Sequence, residues 1–433
     1  MRSFRVILIF SLVFALAAIS MYAARLPELA LLARSGPEAV GTARLVKYWN
    51  ENLADKMGFR VKQVEESRAN YYTKVNNTLL AGAKTPDILV SYSAFTALYA
   101  RSKMVLDITD YYYDNKMFPY DRNDWLPIAM DLVTFNGRIY GLPTDTNTYL
   151  LYYRVDLVKN PPNTWDELFK MAKKFTRRYN PKSPTLYGLA FYGRKEESTP
   201  MFWYQIFRSF GGTWWYSDKP AFDSYPAVKA LEWVTNVIKE KIVPPDIATY
   251  EYMEILGALQ TGQVAFAVQW DAAYPTLLSK KQSPLIYNKI KAAPVPGVRL
   301  PSGEIRRAQS AHDMTLVINA HTQYPKKAFE FIAWATADPV AVKIYGETGL
   351  SPSHKSVLKD KDILAASPQL AVKIPALNKW GYAEPKIPDY PEMKDLLATY
   401  LSRAWALEMP PTEALKTANQ KIYEFLKGKG YYK

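Results

Sequence analysis

The sequence predicts an α/β protein of two lobes, and three observations carry that prediction. The chain has 433 residues, more than one compact core usually holds. Helical and strand patterns alternate along it, as in α/β folds. A wholly polar stretch, Thr144–Thr148, separates two apolar extended segments, which suits a hinge that also lines a cleft.

The first elements read in order as strand, helix, strand, helix, strand. Glu28–Ala33 is a short apolar run, and Ser35-Gly36-Pro37 turns from it into a helix that runs to about Lys56 and ends at Gly58. Phe59, Val61 and Gln63 alternate with polar neighbours as a second strand. A helix over about Tyr71–Ala81 precedes the buried run Ile88–Val90. Such an order implies a right-handed parallel start, with ligands expected at the carboxyl edge. Asn136-Gly137 reads as a hairpin turn, and Tyr149–Val155 as a strand rich in aromatic residues.

Thr164 and Glu167 have capping-box spacing, and Leu168, Met171, Ala172 and Phe175 then recur at helical spacing. Pro226 opens another helix, closed by Pro244-Pro245, and a short one ends at Gly262. Val264–Gln269 is a strand delivering Trp270 and Asp271 to its end. Ile290–Pro294 and Met314–Ile318 read as strands, Pro325–Thr336 as a helix, and a final helix starts at Thr412.

Composition excludes several function classes. Hydrophobic residues are 48% and charged residues 22%, ordinary for a globular chain. The formal net charge is +14, but the basic residues are scattered among acids. The densest group, Lys173, Lys174, Arg177 and Arg178, lies on a helix surface and reads as a solvated face, so no nucleic-acid partner is expected. The absence of cysteine removes disulfides, thiolate metal sites and thiol catalysis. The three histidines, His312, His321 and His354, make no HExxH pattern, so no metal site is expected. No P-loop, dinucleotide fingerprint or G-x-S-x-G elbow occurs, and no cofactor is expected.

Arg2 and Arg5 precede Val6–Ala24, nineteen residues without a charge. Residues 1–24 read as a signal peptide, with a small-x-small site at Ala18-Ile19-Ser20, or as a retained N-terminal membrane anchor. Either places the rest of the chain outside the cytoplasm: secreted, periplasmic or on the cell surface.

Five local patterns resemble the family 1 extracellular solute-binding proteins of ABC importers, which include maltose- and oligosaccharide-binding proteins. They are TPDILVSYSAFTALYARSKMVLDIT, GRIYGLPTDTNTYLLYYRVDL, NPPNTWDELFKMAKKF, LQTGQVAFAVQWD and YPKKAFEFIAWATADPVAVKIYGETGLSPSH. Their order and spacing together carry the likeness, from about Glu28 to the C-terminus. Arg154 stands where the family usually has asparagine, Gln263 where lysine is frequent, and His312-Asp313 where glycine or serine is common.

The resemblance implies a bilobal, type II periplasmic-binding-protein-like fold with a multi-crossing hinge. It implies a first lobe of 25–143 with 274–336 and a second of 149–270 with 340–433. The crossings would fall near 144–148, 270–274 and 334–339. The implied function is the extracytoplasmic component of an ABC importer. It would act as a monomer, take a sugar or oligosaccharide in the cleft and hand it to membrane permease subunits.

A sugar offers apolar ring faces and a belt of hydroxyls, so its site needs aromatic plates and carboxylate or amide acceptors. Trp270 is the first stacking candidate, with a core tryptophan at a strand end as the plain alternative. Asp271, Asp145 and Asn147 are acceptor candidates that would otherwise cap or form turns. Of the pair Trp214 and Trp215, one is expected to meet ligand and the other to pack. Ser35 and Tyr92 follow early strands, and His312 and Asp313 precede a late one. Two other readings stay open. A receptor for a peptide or polyamine fits the same architecture. A carbohydrate-active hydrolase would need paired carboxylates, for which Asp145, Asp271 and Asp313 are the candidates.

Overall fold

The computed structural model describes residues 26–67, 70–114, 116, 120–196 and 198–432. The signal or anchor over residues 1–24 lies outside the described residues. No helix among the described residues is long and apolar enough to cross a membrane.

The strands that build the site are, in chain order, β1 (Glu28–Arg34), β2 (Arg60–Glu66), β3 (Ile88–Tyr92), β4 (Leu142–Asn147), β5 (Tyr149–Arg154), β6 (Tyr187–Ala190), β7 (Val264–Trp270), β8 (Ile290–Pro294), β9 (Gln309–Ser310), β10 (His312–Ile318) and β11 (Gly381–Tyr382). One sheet has the order β2-β1-β3-β10-β4, and a second has the order β8-β5-β7-β6. In the first, β1 pairs parallel with β2 and β3, as the strand–helix alternation predicted. Strand β10 then inserts antiparallel between β3 and β4.

Local chemistry accounts for most boundaries. Gly58 ends the opening helical region in the left-handed conformation, at φ 72°, which glycine adopts without a Cβ clash. Asn136 and Gly137 both have positive φ, as a two-residue primed hairpin turn requires. The Thr164 hydroxyl accepts from the Glu167 amide at 3.1 Å, and Glu167 accepts in return from the Thr164 amide. That closes the expected box at the start of the helix Trp165–Lys174, where Leu168 and Ala172 are fully buried.

Each sheet carries its own core. The first is centred on Trp49, Phe331 and Trp334, with Trp49 ring centroids 5.3 Å from both partners. The second surrounds β5, whose six residues are all buried, as expected of a strand covered on both faces. A smaller cluster of Leu126, Val342, Ile363 and Ile374 lies where the helices Pro127–Leu132, Pro339–Gly346 and Leu370–Trp380 meet.

Three findings correct the sequence expectation. The Thr144–Thr148 stretch is itself a strand for most of its length and not a segment between strands; Thr144–Asn147 lie in β4 and are buried. Strand β8 pairs with β5, so Ile290–Pro294 belongs to the second lobe, where Tyr274, Leu277 and Ile286 also pack. The second crossing therefore falls at β9–β10 and not near 270–274. The helix Pro339–Gly346 packs on the first lobe through Ala341 and Tyr345. The chain next enters the second core at Tyr382 of β11 and continues there in the helix Tyr390–Trp405, so the third crossing lies at β11 rather than at 334–339. Strand pairing and helix docking are non-local, and an apolar run is equally at home in either sheet.

Candidate functional site

The three crossings lie side by side. Only Thr148 separates β4 of the first sheet from β5 of the second. Strands β9 and β11 pair in parallel, Gln309 with Gly381 and Ser310 with Tyr382. The Gln309 amide donates to Thr148 Oγ1 at 2.6 Å and also to the Tyr149 carbonyl. One buried side chain thus ties the second crossing to the first.

A line of aromatic rings runs through this junction. Tyr149 stacks on Trp270 with centroids 4.0 Å apart and planes 24° from parallel. Trp270 lies 5.6 Å from His312, and His312 lies 4.6 Å from Tyr92, edge to face. Tyr92 continues to Tyr72 at 4.7 Å and Tyr72 to Phe95 at 4.9 Å. The series begins in the second lobe and ends in the first. Ala94, beside this track in the first lobe, already packs against the second core.

Some of the buried polar groups without partners lie in the same seam. Among the described residues, Asn147 Oδ1, Gln309 Oε1 and His312 Nδ1 are buried and accept or donate no hydrogen bond. Burial holds the His312 pKa down to about 3, with help from the positive charges of Lys394 and Arg34, so the imidazole is neutral at pH 7. Unpaired buried groups are costly. Three within one seam make a set of contacts suited to the hydroxyls of a guest.

The predicted residues divide into those the fold brings together and those it separates. Tyr92, Trp270, His312 and Asn147 meet at the seam. Opposed residues of paired strands share a face, so His312 lies with Asn147, and Asp313 lies with Thr146 on the other side. The adjacent pair His312-Asp313 is therefore split by the two-residue period of the strand. Asp313 is wholly buried there, and burial holds its carboxyl well above the usual carboxylate range. Asp145 is also wholly buried. It accepts from Asn147 Nδ2 at 3.1 Å, and burial and nearby Glu38 push its pKa well up.

Asp271 serves the protein itself. Its Oδ1 accepts from the Thr148 amide at 2.9 Å, and its Oδ2 accepts from Ser351 Oγ at 3.0 Å and meets Lys373 Nζ at 3.2 Å. Both Asp271 and Lys373 are fully buried, so this carboxylate holds the crossings together and is not presented to a guest. The Ser35 hydroxyl is directed to Glu65 at 3.4 Å. Trp214 packs edge-on to Tyr204 at 4.6 Å and reaches Tyr382 of β11 at 5.9 Å. Trp215 is placed in a short hairpin opposite Pro220. Trp214 is thus the member of the pair that reaches the hinge.

Sequence reasoning missed Arg34, Tyr149, Gln309 and Tyr382. Tyr149 sat in a run recognised as aromatic, but nothing marked which ring would face Trp270. Gln309 and Tyr382 come together only through the pairing of β9 with β11. Two surface depressions, of about 370 and 610 Å³, lie elsewhere, one beside Lys56 and Tyr324, the other beside Phe169 and Tyr179.

Two sheet-built lobes, three adjacent crossings and a seam of rings and unpaired polar atoms define a two-lobed binding protein. The chain belongs to the bacterial extracellular solute-binding protein family, whose sequence profile matches residues 42–342. It is similar to the maltose-bound T. maritima MalE3, at 25% identity and a TM-score of 0.79 over 92% of this chain and 99% of that one. Among curated proteins it resembles the "Probable amino-acid ABC transporter periplasmic-binding protein y4oP" of Sinorhizobium fredii, 24% identical over 89% of this chain and 86% of that one. It also resembles the mannitol-binding protein of Pseudomonas aeruginosa, 23% identical over 72% of this chain and 75% of that one.

Proposed function

We propose that the chain is the capture component of an ABC importer, and that it takes a sugar or oligosaccharide at the seam between its lobes. The observation that carries this reading is the ring series Tyr149–Trp270–His312–Tyr92, which spans both lobes beside buried amide and imidazole atoms without partners. Stacked rings suit the apolar faces of a pyranose, and unpaired acceptors select for hydroxyls placed to meet them. Tyr92, Asn147 and His312 are each less than one-tenth exposed, so a guest enters by separation of the lobes about the three crossings. The closed arrangement is favoured by the contacts that the guest makes only there. An occupied, closed pair of lobes would be what the permease subunits recognise. The chain would work outside the cytoplasm as a monomer, with residues 1–24 as leader or anchor. Likeness to sugar-bound relatives supports the choice of guest.

Hydrolysis is disfavoured because Asp271 is held by Lys373 and Asp313 faces away from the ring series. A second reading, an amino-acid or related solute, is favoured by the name of the S. fredii relative alone. A melting-temperature panel separates the two. Mono- and oligosaccharides should raise the melting temperature, since a ligand that binds only the native state stabilises it by mass action. A shift with amino acids or polyamines and none with sugars would reject the sugar assignment.

A further inference from the structure

Arg34, at the end of β1, stands at the edge of the ring series and has no counter-ion among the described residues. Its guanidinium carbon lies 5.1 Å from the Tyr92 ring centroid and 5.3 Å from that of Tyr72. Contacts of this kind hold the planar group against the rings while leaving its in-plane N–H groups directed outward. Nε is buried and has no hydrogen-bond partner. Among the described residues no carboxylate pairs with the group. The nearest acids in strand register are already engaged: Glu66 with Lys74 at 2.8 Å, and Glu65 with Ser35 and Gln63. The more deeply buried Arg154, by contrast, has Asp156 at 2.5 Å. Arg34 is partly buried, and sheltering its Nε without a partner carries a cost that an anion on the guest would offset.

The surroundings point the same way. The charges felt at His312 are both positive, from Arg34 and from Lys394 across the seam. Lys394 has its own partner in Glu384 at 3.1 Å, so of these two cations Arg34 is the one with no acid partner among the described residues. Tyr92 touches both Arg34 and His312, so an anion on the guanidinium would sit one ring away from the seam.

We propose that Arg34 receives an anionic substituent of the bound guest, a carboxylate or a phosphate ester, so that the preferred ligand is a negatively charged saccharide. This rests on the reading above that the seam takes a carbohydrate. The fork of N–H donors matches two oxygens of either anion, and charge-assisted pairs of that geometry are among the stronger hydrogen bonds.

Calorimetric titration of the purified protein tests it. The ligands are digalacturonate, glucose 6-phosphate and their neutral counterparts galactobiose and glucose, all at one ionic strength. At least one anionic sugar should bind about tenfold or more tightly than its neutral counterpart, an advantage expected to shrink as salt rises. The arm that shows the advantage identifies carboxylate or phosphate. In R34Q the anionic-to-neutral ratio should collapse towards one. In R34K, which keeps charge but loses the fork, it should fall part of the way. The melting temperature of each unliganded variant reports whether it folds. Neutral sugars binding as tightly as charged ones, or an advantage that survives in R34Q, would overturn the role of Arg34 while leaving the sugar reading intact. Binding of amino acids with no response to any of the four sugars would remove both.

Discussion

Gln309 Nε2 donates a hydrogen bond to Thr148 Oγ1 at 2.6 Å, joining residues 161 positions apart in the chain. The same nitrogen reaches the Tyr149 carbonyl, so one amide closes the gap between two crossings. Its replacement is the most direct probe of the hinge. Gln309→Leu keeps the volume but leaves a buried hydroxyl and carbonyl unpaired, a loss of about 1–3 kcal/mol. Urea denaturation should show a lower midpoint at unchanged slope. An unaltered midpoint would mean that the crossings are held elsewhere.

The buried pair of Lys373 and Asp271 calls for a stronger effect. Removing one partner from a fully desolvated ion pair strands the other charge, at about 3–5 kcal/mol. Lys373→Met should therefore destabilise severely. The double variant with Asp271→Asn should recover part of the loss, since no bare carboxylate remains. Equal loss in single and double variants would contradict the assignment of that cost to the stranded charge.

Trp270→Ala should separate binding from folding. The ring is half-buried and stacked on Tyr149, a contact worth about 0.5–1.5 kcal/mol beyond its buried area. The unliganded protein should thus lose modest stability and keep its far-UV circular dichroism. The sugar-dependent rise in melting temperature should disappear. Full retention of that rise would move the binding site away from the ring series.

Acid stability should carry the signature of two buried histidines. Burial holds His312 down to about 3 and His354 down to about 4. In the unfolded chain both titrate near about 6.5. Between those values the unfolded state binds the proton and the folded state does not. Stability from these groups is therefore full above about pH 6.5 and is lost as pH falls towards their folded values. Each contributes a slope of up to about 1.4 kcal/mol per pH unit. The raised pKa values of Asp145 and Asp313 act in the opposite sense, with stability present at low pH and lost as pH rises through their folded values. Denaturation midpoints from pH 4 to 7 should rise less steeply in His312→Gln than in the parent. Parallel profiles would show that His312 is not buried as a neutral ring.

Much of the fold could be read locally. The Thr164–Glu167 box, the left-handed Gly58 and the Asn136-Gly137 turn depend on residues within a few positions of one another, where sequence and geometry are directly linked. Trp270, Tyr92 and His312 were legible as candidates because each ends or begins a strand recognisable by its apolar run. Asp271, a candidate for contact with a guest, has its carboxylate engaged by Thr148, Ser351 and Lys373. An aspartate at a strand end looks the same whether it faces solvent or, as here, a lysine 102 positions later.

By itself the sequence determined the order of the elements and the supply of rings and polar side chains, because periodicity and turn chemistry are short-range. Tertiary structure alone decided which sheet Ile290–Pro294 would join, that Gln309 would meet Thr148, and that His312 rather than Asp313 would share a face with Asn147. Those outcomes turn on strand register and on packing between residues far apart in the chain. Many alternative pairings satisfy the same local pattern, and only burial of the whole core selects one.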